Sequence, residues 1–134
     1  MKPIDFLKTI YLGDRYCWKL VANSVKKEVE IYINLISRVR DESGEWNYYS
    51  DEDIENGAIV FANVNQLFLD KSGLMPNDEI YNIKAIETTN GLYEFTIEAS
   101  NVNKDVETTD LIIQIIAESV YLLDPLNPDV KIVN

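Results

Sequence analysis

The residues best suited to chemistry lie between positions 41 and 55, where acidic and aromatic side chains gather without a lysine or arginine. Seven of them are carboxylates and three are aromatic: Asp41, Glu42, Glu45, Asp51, Glu52, Asp53 and Glu55, with Trp46, Tyr48 and Tyr49. Carboxylates at this density can hold a metal ion, work in pairs as acid and base, or attract a basic protein. Each of these chemistries makes a different demand on the neighbouring residues.

A calcium loop is the first possibility, because Asp51, Asp53 and Glu55 alternate as the ligands of such a loop do. The loop also requires glycine at its sixth position and a bidentate glutamate at its twelfth. Here those positions hold Asn56 and Ala62. We therefore expect neither a metal site nor a cofactor.

Enzyme chemistry receives little support from the composition. The chain has no histidine and a single cysteine, Cys17, so zinc sites of the Cys/His kind and nucleophile–histidine pairs lack their residues. Cys17 is expected to be a small buried side chain. A hydrolase would depend on paired carboxylates, and with 23 acidic residues some pair lies close by chance in any fold. We expect a protein that is not an enzyme, with a carboxylate-dependent hydrolase as the least favoured alternative.

Charge is distributed unevenly along the chain, whose net charge is −11. Residues 1–40 hold eight basic and four acidic residues, whereas residues 41–134 hold four basic and nineteen acidic residues. An acidic pole raises the rate of association with a basic protein by roughly 10- to 1,000-fold at low salt. It also repels nucleic acid and anionic membranes. Tryptophan and tyrosine are frequent anchors of protein interfaces, so segment 41–55 is predicted to bind a basic protein partner.

The same segment also has a purely structural interpretation. Ser50 followed by Asp53 resembles a helix N-cap, with Asp51 and Glu52 near the positive end of the helix dipole. Asn56-Gly57 would end this single helical turn. The carboxylates would then serve capping and solubility, and one or two of the aromatic rings would pack within a strand.

Period-two alternation of apolar residues dominates the chain and indicates β-strands. Segments 58–64 and 111–118 are apolar on both faces, which is typical of central strands covered by layers on both sides. Asn90-Gly91 predicts a tight hairpin turn. Strands are predicted at 15–22, 26–37, 58–70, 80–87, 92–99 and 110–123.

We therefore expect an all-β fold in a single domain over residues 1–134. Its form is an antiparallel sandwich or partly open barrel of about six or seven strands in meander order, with one or two short helical turns. One of these turns is predicted within residues 4–11. Trp18 is expected in the core, and the tail from residue 124 as a loosely attached extended end.

Targeting signals are not evident in the sequence. Asp5 and Lys8 interrupt the first apolar run before it reaches the length of a signal-peptide core. No segment approaches 18 uninterrupted apolar residues. A cytoplasmic location is expected.

Three blocks of the chain, "IDFLKTIYLGDRYC", "SGEWNYYSDEDIENG" and "SGLMPNDEIYNI", resemble an uncharacterised family of small acidic bacterial proteins. The stretch "YEFTIEASNVNKDVETTDLIIQIIAESVYLLDP" is similar to the hairpin ending of several immunity-protein families from bacterial toxin systems. That resemblance implies a β-sandwich that binds and blocks a toxin domain, often a cationic nuclease. It implies no catalytic residues.

The function predicted from these observations is that of an immunity-like protein. It would neutralise a basic bacterial toxin domain through the acidic, aromatic-edged surface of residues 41–55. The alternative is a structural or adaptor β-module that self-associates or bridges partners through its strand edges. The sequence leaves the oligomeric state open.

Overall fold

The computed structural model describes residues 1–45 and 51–134, and within them the chain forms one short helix and ten strands. The helix α1 covers Pro3–Leu7. The strands are β1 (Ile10–Tyr11), β2 (Cys17–Asn23), β3 (Glu28–Ile33), β4 (Leu35–Arg38), β5 (Ile54–Glu55), β6 (Ala58–Leu69), β7 (Ile80–Glu87), β8 (Tyr93–Val102), β9 (Thr108–Leu123) and β10 (Lys131–Ile132). The all-β class expected from the alternation is confirmed.

The strands form two antiparallel sheets that pack as a sandwich. The large sheet has the order β2-β3-β6-β9-β8-β7, with β10 added at the end of β9, and the small sheet has the order β1-β4-β5. Strands β7 to β9 follow the expected meander, whereas β6 departs from it by pairing with both β3 and β9. Among the described residues, the edges of the large sheet touch at one bridge, between Tyr16 and Glu79, and the sheet is not closed into a barrel.

The two strands with apolar residues on both faces lie side by side at the centre of the large sheet, as predicted. Their register runs from Ala58 opposite Leu123 to Leu69 opposite Ile113. Phe61 of β6 points into the main core, whereas its neighbour Val60 belongs to a smaller cluster with Tyr121. Both faces of β6 are therefore buried over its first half, which explains why its sequence does not alternate.

The main core lies between the two sheets and is closed at one end by α1. Phe61 and Phe95 meet edge-to-face at its centre, with ring centroids 4.9 Å apart. Phe6 of α1 and Ile36 of the small sheet belong to the same cluster. Cys17 is fully buried there, as expected, and burial raises the pKa of its thiol to about 11. The thiol is therefore a packing group and is protonated at neutral pH.

The segment predicted as one strand over residues 26–37 is divided at Asn34, and this prediction was wrong. The Asn34 side chain accepts a hydrogen bond from the Tyr16 backbone N–H (2.9 Å), and its own N–H donates to the Tyr16 carbonyl (3.2 Å). After this clasp the alternation changes phase, so that Leu35 is half-buried and Ile36 is fully buried. The chain thereby leaves the large sheet and starts the small one.

The helical turn predicted within residues 4–11 exists, but it ends at Leu7. The next residues are recruited by β4: the Thr9 carbonyl accepts a hydrogen bond from Val39 N–H (2.6 Å), and β1 pairs with the end of β4. Pairing with a strand distant in sequence thus overrides the helix-like spacing of these apolar residues.

The helical turn predicted at Ser50–Asp53 is not observed in the described part of that segment. Ser50 lies outside the described residues, residues 51–53 are not helical, and Ile54–Glu55 form β5. Ile54 is 5% exposed in the main core. Ile54 is buried in the extended conformation that pairs β5 with β4. The burial of this side chain therefore outweighs the preference of the capping residues for a helical turn.

The hairpin turn predicted at Asn90-Gly91 is confirmed. Asn90 and Gly91 both have positive φ angles (63° and 73°), as a tight hairpin turn requires.

The prediction for the tail was wrong. The tail is not a loose extended end, because Lys131 and Ile132 pair with Leu123 and Leu122 of β9. Ile132 packs against the main core and holds the tail in place.

The two phenylalanines of β6 provide a matched test of the core. Phe61 is fully buried and Phe68 is 55% exposed. We expect Phe61→Ala to lower the free energy of unfolding by about 3 to 5 kcal/mol, since it leaves a cavity beside Phe95. Phe68→Ala should cost less than about 1 kcal/mol. Urea denaturation of both variants measures the difference, and equal losses would contradict the placement of the core.

Candidate protein-binding surface

The predicted partner-binding segment 41–55 connects β4 to β6 and includes β5. Its described carboxylates are all exposed to solvent, and they are Asp41, Glu42, Glu45, Asp51, Glu52, Asp53 and Glu55. Trp46, Tyr48 and Tyr49 lie outside the described residues, so their contribution to a binding surface stays a prediction.

An ion pair between Arg40 and Glu52 anchors the second half of this segment. Arg40 donates two hydrogen bonds to the carboxylate, from Nε at 2.8 Å and from a terminal nitrogen at 2.5 Å, and the same terminal nitrogen also donates to the Asn134 carbonyl at 3.3 Å. The hydrogen bond from Arg40 holds the pKa of Glu52 below its ordinary value. The pair fixes geometry more than it adds stability, because both side chains are over 40% exposed.

Arg38 lies beneath this pair and is 1% exposed. It donates to the Thr9 hydroxyl at 2.8 Å, and its guanidinium lies 5.3 Å from the centroid of the Phe6 ring. Burial, and then the charge of Arg40, lower its pKa. Its side chain reaches the wall of an open cleft of about 480 Å³, whose charged lining consists of Arg38, Arg40, Asp51, Glu52, Asp53, Asp124 and Lys131. We call this the charged cleft.

Positive and negative groups are thus mixed in the charged cleft, which the count of charge by region did not indicate. Arg40 immediately precedes the acidic segment but folds back onto it. Among the described residues, neither Asp51 nor Asp53 takes part in an ion pair. These two carboxylates, with Asp124 on the other side of the cleft, therefore offer negative charge to an approaching cation.

A second recess, rich in aromatic residues, adjoins the charged cleft. It encloses about 450 Å³ and is lined by Tyr16, Trp18, Tyr32, Asn56 and Pro125, and we call it the aromatic recess. Tyr16 and Trp18 are 48% and 45% exposed. The rings of Trp18 and Tyr32 lie 5.5 Å apart at an angle of 56°. Large exposed rings of this kind are frequent anchors of protein interfaces.

A β-bulge and a hydrogen bond shape this surface. The pairing of β2 with β3 shifts between Cys17 and Lys19, so that Trp18 and Lys19 are both exposed while Leu20 packs against the main core. The Tyr32 hydroxyl donates to Glu30 at 2.8 Å. Burial, and then this hydrogen bond, raise the pKa of Tyr32 to about 12, so the hydroxyl stays protonated and can donate to Glu30 well above neutral pH.

Two rings of the aromatic recess already contact one cation from the protein itself. The Lys19 ammonium lies 4.8 Å from the centroid of the Tyr32 ring and 5.9 Å from that of Trp18. An ammonium or guanidinium within about 6 Å of such a ring is attracted to its face. The rings of Trp18 and Tyr32 thus have the geometry to bind a basic side chain.

Two chain segments connect the aromatic recess to the charged cleft. On one side the connection is β5: Asp53, which directly precedes β5, lines the cleft, and Asn56, which directly follows β5, lines the recess. On the other side, Pro125 lines the recess and Asp124 lines the cleft. A partner that inserts a side chain between the rings would therefore also meet the carboxylates.

The sequence prediction missed this recess because it placed Trp18 in the core. That placement was wrong, and the alternation itself contains the corrective signal: Cys17 is buried, so the neighbouring Tyr16 and Trp18 must point outward. Tyr32 alternates with the buried Ile31 and Ile33 and so also lies on the outward face of its strand. The proximity of Tyr32 to Pro125, about ninety residues away in sequence, could be learned only from the fold.

Two negative findings concern the described residues only. In residues 1–45 and 51–134, no group of three or more His, Cys, Asp or Glu side chains is placed to hold a metal ion. No helix in this part of the chain has the length and apolar character that crossing a membrane requires.

Fold and surface together define a β-sandwich domain with an exposed aromatic recess beside a charged cleft. Comparison with protein families places the chain in a family of unknown function, DUF6258, which matches residues 1–134. The resemblance to an uncharacterised family is thereby confirmed. No curated protein and no solved structure matches the chain significantly.

The Arg40–Glu52 pair predicts a pH dependence with a definite sign. The pKa of Glu52 is lowered in the folded protein, so the pair stabilises the fold above pH 4.5, the ordinary pKa, and this contribution is lost as the pH falls below that value. We expect Arg40→Gln to raise the pKa of the Glu52 carboxyl toward 4.5, as measured by NMR titration. Arg40→Lys, which keeps the charge without the two-point contact, should give an intermediate value. The same pKa in all three proteins would contradict the ion pair.

Proposed function

We propose that the protein is a non-catalytic binding protein that docks a basic protein partner, with the aromatic recess as anchor and the adjoining carboxylates as electrostatic guide. The observation that carries this proposal is the Lys19 ammonium on the rings of Trp18 and Tyr32. The rings accept a cation, and a partner with an exposed arginine or lysine could replace Lys19 there.

The carboxylates support the same kind of partner at longer range. The protein carries a net charge of −11, and Asp51 and Asp53 lie beside the recess without an ion-pair partner among the described residues. Negative potential at a docking site increases the association rate with a basic protein, and the increase falls as salt rises. The carboxylates thus act mainly on the rate of encounter, and the aromatic rings on the lifetime of the complex.

We further propose that the basic partner is a bacterial toxin domain and that the protein has an immunity-like role. It would neutralise the toxin by covering its active surface. Its support is the resemblance of the second half of the chain to immunity-protein hairpins, together with the acidic, aromatic character of the surface. Covering another protein requires no catalytic group. The proposed location is the cytoplasm, where a cell would need protection from such a toxin.

A binding experiment separates the two contributions. The partner is captured from a lysate of the native host with the wild-type protein, purified, and tested by surface plasmon resonance at about 50 mM and about 500 mM NaCl. We expect Asp51→Lys with Asp53→Lys to slow association at least about tenfold at low salt and little at high salt. The matched control, Asp105→Lys with Glu107→Lys, makes the same change of charge in the β8–β9 turn and should have a much smaller effect.

Loss of an aromatic ring from the recess is expected to change the dissociation rate constant instead. Trp18→Ala should speed dissociation by about 10- to 100-fold at both salt concentrations, because it removes the anchor. A captured protein that is acidic, or one whose binding is unchanged by both the charge reversal and Trp18→Ala, would overturn the proposal. Growth of cells that produce the captured domain with and without this protein tests the immunity-like role separately.

A further inference from the structure

Two of the rings that line the aromatic recess form a corner. The planes of Trp18 and Tyr32 meet at 56° with their centroids 5.5 Å apart, so the rings are tilted toward each other and are not stacked. The Lys19 ammonium faces both of them, at 4.8 Å from the centroid of Tyr32 and 5.9 Å from that of Trp18. Both distances are within the reach of about 6 Å at which a ring face attracts a cation. The corner therefore presents two ring faces to a single positive charge.

Hydrogen bonds fix the frame of the recess. The Asn34 side chain accepts from the Tyr16 N–H (2.9 Å), and the Asn34 carbonyl accepts from the Asn56 N–H (2.9 Å). Tyr16 and Asn56 both line the recess, so one residue holds the backbone of two of its walls. The recess encloses about 450 Å³. Sites for small molecules are largely formed before binding and commonly enclose about 300 to 1,000 Å³.

The chemistry of the walls discriminates among cations. The described lining residues carry no charge, and they are Tyr16, Trp18, Tyr32, Asn56 and Pro125. A primary ammonium has three strongly hydrated N–H donors, and ring faces do not replace the hydrogen bonds that these donors make with water. A quaternary ammonium has no N–H donor, so it loses less when it leaves water. Aromatic walls therefore favour a quaternary ammonium over a primary one.

We propose that the aromatic recess binds a quaternary ammonium group, with the faces of Trp18 and Tyr32 as its cation-binding walls. The ligand displaces the Lys19 ammonium, which is exposed and takes part in no ion pair within the described part of the chain. The carboxylates of Asp53 and Asp124 in the adjoining charged cleft favour the approach of a cation. This activity goes beyond the docking of a basic protein. Because both use the same rings, the ligand and the docked partner compete.

Three small alcohols isolate the chemistry of this site. They are choline, its neutral isostere with a tert-butyl group in place of the trimethylammonium group, and ethanolamine, which has a primary ammonium. In calorimetric titration of the full-length protein, we expect choline to bind with a dissociation constant on the order of 1 mM. The other two should bind at least about tenfold more weakly. Ethanolamine controls for the general attraction of cations to a protein with a net charge of −11.

Variants of the full-length protein locate the ligand. Trp18→Leu should weaken choline binding at least about tenfold, whereas Tyr81→Leu, at a ring on β7 with a similar exposure of 48%, should leave it unchanged. Lys19→Gln should strengthen the binding, because it removes the ammonium that now faces both rings. Lys26→Gln makes the same change of charge in the β2–β3 turn and should have a smaller effect. The N-methyl proton signal of choline should shift upfield on binding, since ring faces shield it.

Quaternary ammonium groups occur in small molecules and on trimethylated lysine side chains, so a peptide with one trimethyllysine is titrated beside choline. Tighter binding of the peptide supports a modified protein as the source of the ligand, and tighter binding of choline supports a small molecule. Equal affinity for choline and either analogue, or binding unchanged by Trp18→Leu, would overturn the proposal. The titrations use the protein alone, so their failure leaves the docking of a basic partner standing. Failure to find such a partner likewise leaves the ligand site standing.

Discussion

The pairing of β6 with β9 is the constraint on which the rest of the structure depends. These are the longest strands of the large sheet, and they are central because both of their faces are apolar where the start of β6 pairs with the end of β9. β3 adds to one side of this pair, and β8 adds to the other. Ile33 N–H also donates to the Gly57 carbonyl at 2.9 Å, just before β6 begins. The segment that carries Asp51 and Asp53 is therefore tied to the centre of the sheet.

Long central strands also create two features of the molecular surface. β6 is longer than its neighbour β3, so its second half projects beyond the β2–β3 hairpin and leaves an open edge. At the other end, the chain leaves the large sheet at Asn34, whose carbonyl accepts a hydrogen bond from Asn56 N–H (2.9 Å), and Asn56 lies beside Tyr32 of β3. The aromatic recess forms at that junction. Both features thus follow from a mismatch in length or direction between paired strands.

Burial changes the surface charge that the sequence suggests. Arg15 and Arg38 are 8% and 1% exposed, so two of the eight basic residues in the first forty contribute little to the surface. Arg15 donates to the Ser37 hydroxyl at 3.1 Å and lies over the Tyr11 ring, and Arg38 makes similar contacts with Thr9 and Phe6. Hydroxyls and aromatic faces offset part of the cost of taking each guanidinium out of water. The exposed surface is accordingly more acidic than the count of charges indicates.

Local patterns in the sequence were enough to determine the all-β class, the central place of β6 and β9, and the Asn90-Gly91 turn. Each of these depends on which face of a strand is apolar or on the dihedral angles of adjacent residues, and such properties are written into neighbouring positions. The absence of histidine likewise excludes several chemistries without any structure. The proposed contribution of Trp46, Tyr48 and Tyr49 still depends on the sequence alone.

Tertiary structure decided which segments meet. The break at Asn34, the return of Arg40 onto Glu52, the exposed position of Trp18 and the open edge at residues 65–69 all depend on contacts or strand lengths far apart in the chain. Periodicity fixes the two faces of a strand but does not specify its partner, its register or the residue at which pairing stops. Those features arise from the competition among all strands for backbone partners and for a place in one core, and that competition is settled only when the whole chain folds.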